Sequence, residues 1–112
     1  MPDRTIKRVD SRESPIGEMG QKYLVSGKRL AMRLWEEAPG EEGEPHTRPY
    51  ETVGYVVEGR MRLRTGGDVL TLQPGDSYLV PDGAERCYTV LEPLVAVEVT
   101  APPAHINDRD DA

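Results

Sequence analysis

The chain has 112 residues, a formal net charge of −6, 37% hydrophobic residues, one cysteine and no phenylalanine. That length suits one domain with a modest core. The acidic balance excludes nucleic acid as the main partner, since phosphate neutralisation needs a basic face, and the single Cys87 excludes an internal disulfide and any multi-thiolate metal site.

Residues 1–25 read as a partly ordered arm, polar and rich in turn formers at "SRESPIGEMG", with no apolar stripe of helical length. "KYLVSGKRLAMRLWEE" gives two strand-like runs broken at Ser26-Gly27. In the second run Leu30, Met32 and Leu34 share one face, and Ala31, Arg33 and Trp35 the other. "APGEEGEP" at 38–45 is a loop by composition. "ETVGYVVEG" is the strongest strand, rich in β-branched and aromatic residues and ended by Gly59. "RMRLRT" alternates Met61 and Leu63 with Arg60, Arg62 and Arg64, an arginine row that reads as a solvated strand face. Gly66-Gly67 and "PGD" at 74–76 are turns around the short strand "DVLTLQ". "SYLVP", "ERCYTVLE" and "LVAVEVTAPP" complete the series, and "AHINDRDDA" closes it as a mobile acidic tail over 104–112. Short strands at this turn spacing, with no helical period, predict an all-β sandwich or barrel. No segment approaches the roughly 18 apolar residues of a membrane span, and "MPDRTIKRVD" has no apolar h-region. The expectation is a cytoplasmic protein with no membrane or nucleic-acid partner.

Two motifs then carry a resemblance. Gly40, His46 and Gly59 fit the spacing Gly, five residues, His-x-His, three or four residues, Glu, six residues, Gly. Gly75, Pro81 and Gly83 in "LQPGDSYLVPDG" fit Gly, five residues, Pro-x-Gly, two residues, His, three residues, Asn. Over residues 26–102 the chain resembles the cupin superfamily, and its ending "EVTAPPAH" is similar to that of single-domain cupins related to unsaturated-uronate-converting proteins of pectin degradation. The resemblance implies a double-stranded β-helix (jelly-roll) barrel over 26–103 and, as is common in cupins, a homodimer. Because the matching residues are turn formers, they speak for fold more than for function.

The cupin metal ligands, two His and a Glu of the first motif and the His of the second, fall here on His46, Arg48, Thr52 and Arg86. Only His46 can donate to a metal, since a guanidinium has no lone pair and a fixed positive charge. Glu51 and Cys87 are each one residue off, which turns a strand side chain outward, and His105 lies in the tail. The expectation is therefore no metal and no cofactor. If Arg48 and Arg86 converge with His46, the pocket suits a small anionic ligand held by His46, Arg48, Thr52 and Arg86; the other solution is internal neutralisation by Glu51, Glu85 or Glu98. Tyr88 shares the parity of Arg86, and Tyr50 lies beside the first motif. With His46 as base and Tyr88 as acid, the pocket also suits proton transfer on a carbohydrate acid, an isomerase, epimerase or lyase-type reaction. Metal-free sugar epimerases of the superfamily work this way with an Asp orienting the His, and no such Asp is identifiable here. The third reading is a structural homodimer whose vestigial pocket is plugged by Met32, Met61, Leu63 and Val90.

Overall fold

Period-two burial shapes the two longest strands of this computed structural model, which describes residues 4–106 and 109–111. The elements are β1 (Lys22–Ser26), β2 (Ala31–Glu37), β3 (Glu51–Thr65), β4 (Asp68–Leu72), β5 (Ser77–Val80) and β6 (Arg86–Ala101), with short 3-10 turns at Ser11–Glu13 and Arg109–Asp111. All pairings are antiparallel, in the order β1-β2-β6-β3-β4, with β5 also on β3. The all-β jelly-roll expectation holds.

The strands β3 and β6 run the length of the barrel side by side, from Glu51 opposite Ala101 to Thr65 opposite Arg86. The sequence reading ended β3 at Gly59 and split β6 at Pro93; both strands instead continue through a bulge. The register shifts between Val56 and Met61, and Gly59 there has φ +84°. A Cβ on Gly59 would collide with the Pro93 carbonyl, so glycine permits both the left-handed backbone and the close approach. Pro93, which has no N–H to give a ladder, sits beside this interruption. The bulge flips parity in β3: Thr52 and Val56 are buried before it, Met61 and Leu63 after it. In β6 the even-numbered Arg86, Leu94, Ala96, Glu98 and Thr100 are buried on either side of the bulge, while Glu92 at the bulge is exposed and pairs with Arg60.

The core joins Val56, Met61 and Leu63 of β3 with Leu72, Tyr78, Val80, Leu94 and Ala96. In β2 the inward face is Ala31, Arg33 and Trp35, while Leu30 lies exposed in the turn before the strand. The opposite sheet face, with Val53, Tyr55, Val57 and Leu79, is about half exposed, so residues 4–25 do not cover it. The ends of the chain take more part in the fold than composition suggests. The strand β1 starts at Lys22, inside the expected arm, and Gln21 before it is buried. Ala104 is buried and donates its N–H to Thr100 Oγ1 at 3.0 Å, and Asp110, placed by the sequence reading in a mobile tail, is bonded into the barrel wall described below.

Candidate functional site

A cavity of about 330 Å³ opens between the inward faces of β2, β3, β5 and β6 and the loop 38–46. His46, Arg86 and Tyr88, expected at the site, do line it. Tyr50 lines it too, as its position beside the first motif suggested. Arg48 does not: it lies against a second cavity, beyond the end of β1. Thr52 is fully buried and lines neither cavity. The expected convergence of Arg48 with Arg86 is thus corrected. The second guanidinium in the main cavity is Arg33, from the inward face of β2.

Arg33 is held by acids on two sides. Its Nε donates to Glu98 Oε1 at 2.9 Å and its Nη1 to Asp110 Oδ1 at 3.1 Å. Glu98, only 2% exposed, also accepts from Trp35 Nε1 at 2.6 Å and from the Tyr78 hydroxyl at 2.7 Å. A buried carboxylate with this many donors is fully compensated. Asp110 Oδ1 further accepts from the Tyr50 hydroxyl at 2.6 Å, and Oδ2 from the Tyr23 hydroxyl at 2.6 Å and Gln21 Nε2 at 3.4 Å. Burial acts to raise the Asp110 pKa, but the hydroxyls of Tyr23 and Tyr50 and the Arg33 charge outweigh it and hold the carboxyl below its ordinary value. Burial raises Tyr23 to about 12, with Asp110 adding to the shift. Of the three neutralising acids expected from sequence, Glu98 is inside and serves Arg33, while Glu51 and Glu85 are exposed.

The other end of the cavity is short of acceptors. Arg86 is 1% exposed, yet its Nη1 donates only to the Ala84 carbonyl at 3.1 Å, and its Nε has no partner among the described residues. No acidic side chain among those residues pairs with it; its guanidinium lies 5.5 Å from the centre of the Tyr50 ring. The Tyr88 hydroxyl is buried and likewise without a partner. Burial, reinforced by Glu98, raises the Tyr88 pKa, so this hydroxyl keeps its proton. An unpaired buried donor costs about 1–3 kcal/mol, and here two stand on one strand, two residues apart.

Backbone bridges fix His46 at the cavity: His46 N–H donates to the Arg86 carbonyl and Arg86 N–H to the His46 carbonyl, both at 2.9 Å. Its ring Nδ1 is 3.0 Å from the Glu44 carbonyl. A carbonyl can only accept, so Nδ1 carries the proton and Nε2 keeps its lone pair. Desolvation lowers the His46 pKa, and the charges of Arg48, Arg86 and Arg33 lower it further. Among the described residues no Asp orients the ring; the Glu44 carbonyl does.

The residues do not fit the metal that the fold family implies. Of His46, Arg48, Thr52 and Arg86, one is a donor, and the buried Arg86 guanidinium stands at the cavity beside it. Among the described residues that line the cavity, the one buried carboxylate, Glu98, is already committed to three donors. No group of three His, Cys, Asp or Glu among the described residues is placed to hold a metal ion. His105 stacks near the Tyr23 ring at 5.3 Å, on the second cavity and away from His46. Cys87 is a buried free thiol. The plug expected from Met32, Met61, Leu63 and Val90 does not form: Met61 and Val90 line an open cavity, Leu63 lies in the core, and Met32 is on the other sheet face. Among the described residues, no helix is long and apolar enough to cross a membrane.

Comparison with known proteins gives the same frame. No curated protein matches the chain. Among solved structures it is similar to KdgF from Halomonas sp., at 25% identity over 73% of this chain and 78% of that one, with a TM-score of 0.68. It is also similar to an RmlC-like cupin from Shewanella frigidimarina, at 21% identity over 93% and 96% of the two chains with a TM-score of 0.78. The polyketide cyclase RemF from Streptomyces resistomycificus is 20% identical over 87% and 80%, with a TM-score of 0.72. The cupin domain family matches residues 33–100, the span that carries both motifs and most of the cavity wall, and the chain belongs to that family.

Proposed function

We propose that this cupin binds a small molecule bearing one carboxylate or comparable acceptor group, taken up by Arg86 and Tyr88. The observation that carries this reading is the pair of buried donors on β6 that lack acceptors. With Arg33 already neutralised by Glu98 and Asp110, Arg86 is the cation left to be matched, and a ligand acceptor would remove the cost of leaving it unpaired. His46 Nε2 adds an acceptor for a ligand hydroxyl. The remaining wall is Trp35, Met61, Val90, Leu94 and Ala96, which suits an apolar or alicyclic body; Glu37 and Glu41 also line the cavity and disfavour a polyanion. The volume stands near the lower end of the roughly 300–1,000 Å³ of small-molecule sites. The expected anionic ligand is thereby narrowed to a monoanion; of its expected anchors His46 and Arg86 are kept, Arg48 and Thr52 are dropped, and Tyr88 is added.

Calorimetric titration with benzoate and cyclohexanecarboxylate against their neutral amides tests it. The carboxylates bind the wild type more tightly than the amides, and Arg86→Lys and Tyr88→Phe each weaken carboxylate binding about 5–30-fold, the effect of losing one bond to a charged group. Equal binding of acid and amide, or unchanged affinity in both variants, contradicts the reading.

A second reading rests on one further observation: the neutral His46, with Nε2 available, and the protonated Tyr88 face the same cavity. That is a base and an acid for proton transfer on a bound acid, an isomerase, epimerase or lyase-type step. Its test is wash-in of solvent deuterium at carbon in a bound sugar acid, lost in His46→Gln. The structural-homodimer reading keeps support for its dimer half only. Val53, Tyr55, Val57 and Leu79 form an exposed apolar sheet face that a second copy would cover, and light scattering of Tyr55→Lys against wild type checks that.

A further inference from the structure

The carboxylate of Asp110 sits in a receptor that the rest of the chain builds. Arg33 comes from β2, Tyr23 from β1, Gln21 from the residue before β1, and Tyr50 from the residue before β3. These groups are held independently of the C-terminal segment. Arg33 is fixed by Glu98 at 2.9 Å, Gln21 Nε2 donates to the Tyr23 hydroxyl at 3.0 Å, and Tyr50 is 1% exposed. Beside the receptor lies a second cavity, also of about 330 Å³, lined among others by Met19, Gln21, Tyr23, Ala104 and His105, with Asp110 in its wall. Gln21, 1% exposed, has its Oε1 buried with no partner among the described residues.

We propose that this receptor is a second binding site, specific for a small carboxylic acid, and that Asp110 occupies it as an internal competitor. An incoming carboxylate would accept from Arg33 Nη1, the Tyr50 and Tyr23 hydroxyls and Gln21 Nε2, the bonds Asp110 makes now. The adjoining cavity takes the body of the acid. The site is separate from Arg86 and Tyr88, which do not line the second cavity. Its carboxylate anchors Arg33 and Tyr50 also line the main cavity and Met19 lines both cavities, but the site does not depend on what binds in the main one.

Chemical rescue tests it. Asp110→Ala empties the receptor; acetate at 0.2 M then raises its melting temperature about 3 °C or more above chloride at the same ionic strength, as ligand linkage requires of weak millimolar binding. Acetamide does not. The wild type and Asp110→Asn, whose receptors remain filled, respond less than a third as much. Tyr23→Phe in the Asp110→Ala background weakens the acetate response about fivefold. Should Asp110→Ala be too unstable to melt cleanly, acetate titration followed by the fluorescence of Trp35, the chain's one tryptophan, 5.2 Å from the Arg33 guanidinium, gives the same comparison. Acetate and chloride acting alike on Asp110→Ala, or acetate stabilising wild type equally, overturns the proposal. Acetate taken up at the main cavity would raise wild type and Asp110→Ala alike, so the excess response of Asp110→Ala alone reports this site, and the carboxylate reading of the main cavity fails or stands on Arg86 and Tyr88.

Discussion

The two ends of the main cavity are built from the same residue types and finished differently. Around Glu98 every donor meets an acceptor: Arg33, Trp35 and Tyr78 converge on one carboxylate. Around Arg86 the guanidinium Nε and the Tyr88 hydroxyl are buried with no acceptor among the described residues. A folding chain gains nothing from the second arrangement, because buried donors lose their water and receive little in return. The first end is therefore architecture, and the second carries two donor atoms that the described residues leave unmatched.

The largest effect expected separates the ends by charge. Glu98→Ala takes from the buried Arg33 one of its two carboxylates, leaves the Trp35 and Tyr78 donors without an acceptor, and destabilises by about 3–5 kcal/mol, read from urea unfolding. Arg86→Met removes a cation with no acidic partner and costs no more than about 1 kcal/mol. Equal losses would erase the comparison.

Asp110 sharpens it at the next scale. Its folded pKa lies below the unfolded 3.8, so its contribution is fully present above that value and is lost as pH falls through the lower folded value. The groups facing it are Tyr23 and Gln21 near β1, Arg33 on β2 and Tyr50 before β3. Asp110→Asn should cost about 1–2 kcal/mol at neutral pH, and the gap from wild type should close on acidification below about pH 4. A gap that is constant with pH would show that the carboxylate charge does not matter.

The smallest effect concerns His46. Its folded pKa is below 6.5, chiefly through desolvation, so its proton NMR titration has a midpoint under 6.5. Arg86→Met raises that midpoint by removing one of the charges that lower it. The sign for stability follows: the unfolded chain binds a proton first, so this contribution is complete above pH 6.5 and is lost as pH falls through the folded value. A midpoint at or above 6.5 contradicts the placement of His46 among the arginines.

Much of this was legible in the chain itself. Strand alternation and the motif glycines located the barrel, and parity from Arg86 put Tyr88 inside. The same parity reaches Glu98, twelve residues on, but Pro93 read as a strand end, and only the bulge pairing of Gly59 with the Pro93 turn of β6 carries the register through. Arg33 shared a face with Trp35 in the sequence, yet no local signal said which face met the cavity, because the opposite face of β2 is apolar too. Arg48 was misplaced for a related reason: it stands before β3, separated from the strand by a bend at 49–50 across which strand parity has no force. Asp110 was out of reach, since its partners lie 60 to 89 residues away and composition alone marks an acidic terminal stretch as solvent-exposed.

Two tyrosines give the most direct test of the difference between the cavity's ends. Tyr78 and Tyr88 both line the cavity and both are raised in pKa by burial, but only the Tyr78 hydroxyl has a partner, Glu98. The unfolding free energies of Tyr78→Phe and Tyr88→Phe, measured without ligand in the same buffer, should move apart: a loss of about 1–3 kcal/mol for Tyr78→Phe, which leaves Glu98 short of a donor, and no loss or a gain for Tyr88→Phe. Equal losses in the two variants would mean that Tyr88 is satisfied in the folded protein, and the Arg86 end would then be architecture like the other.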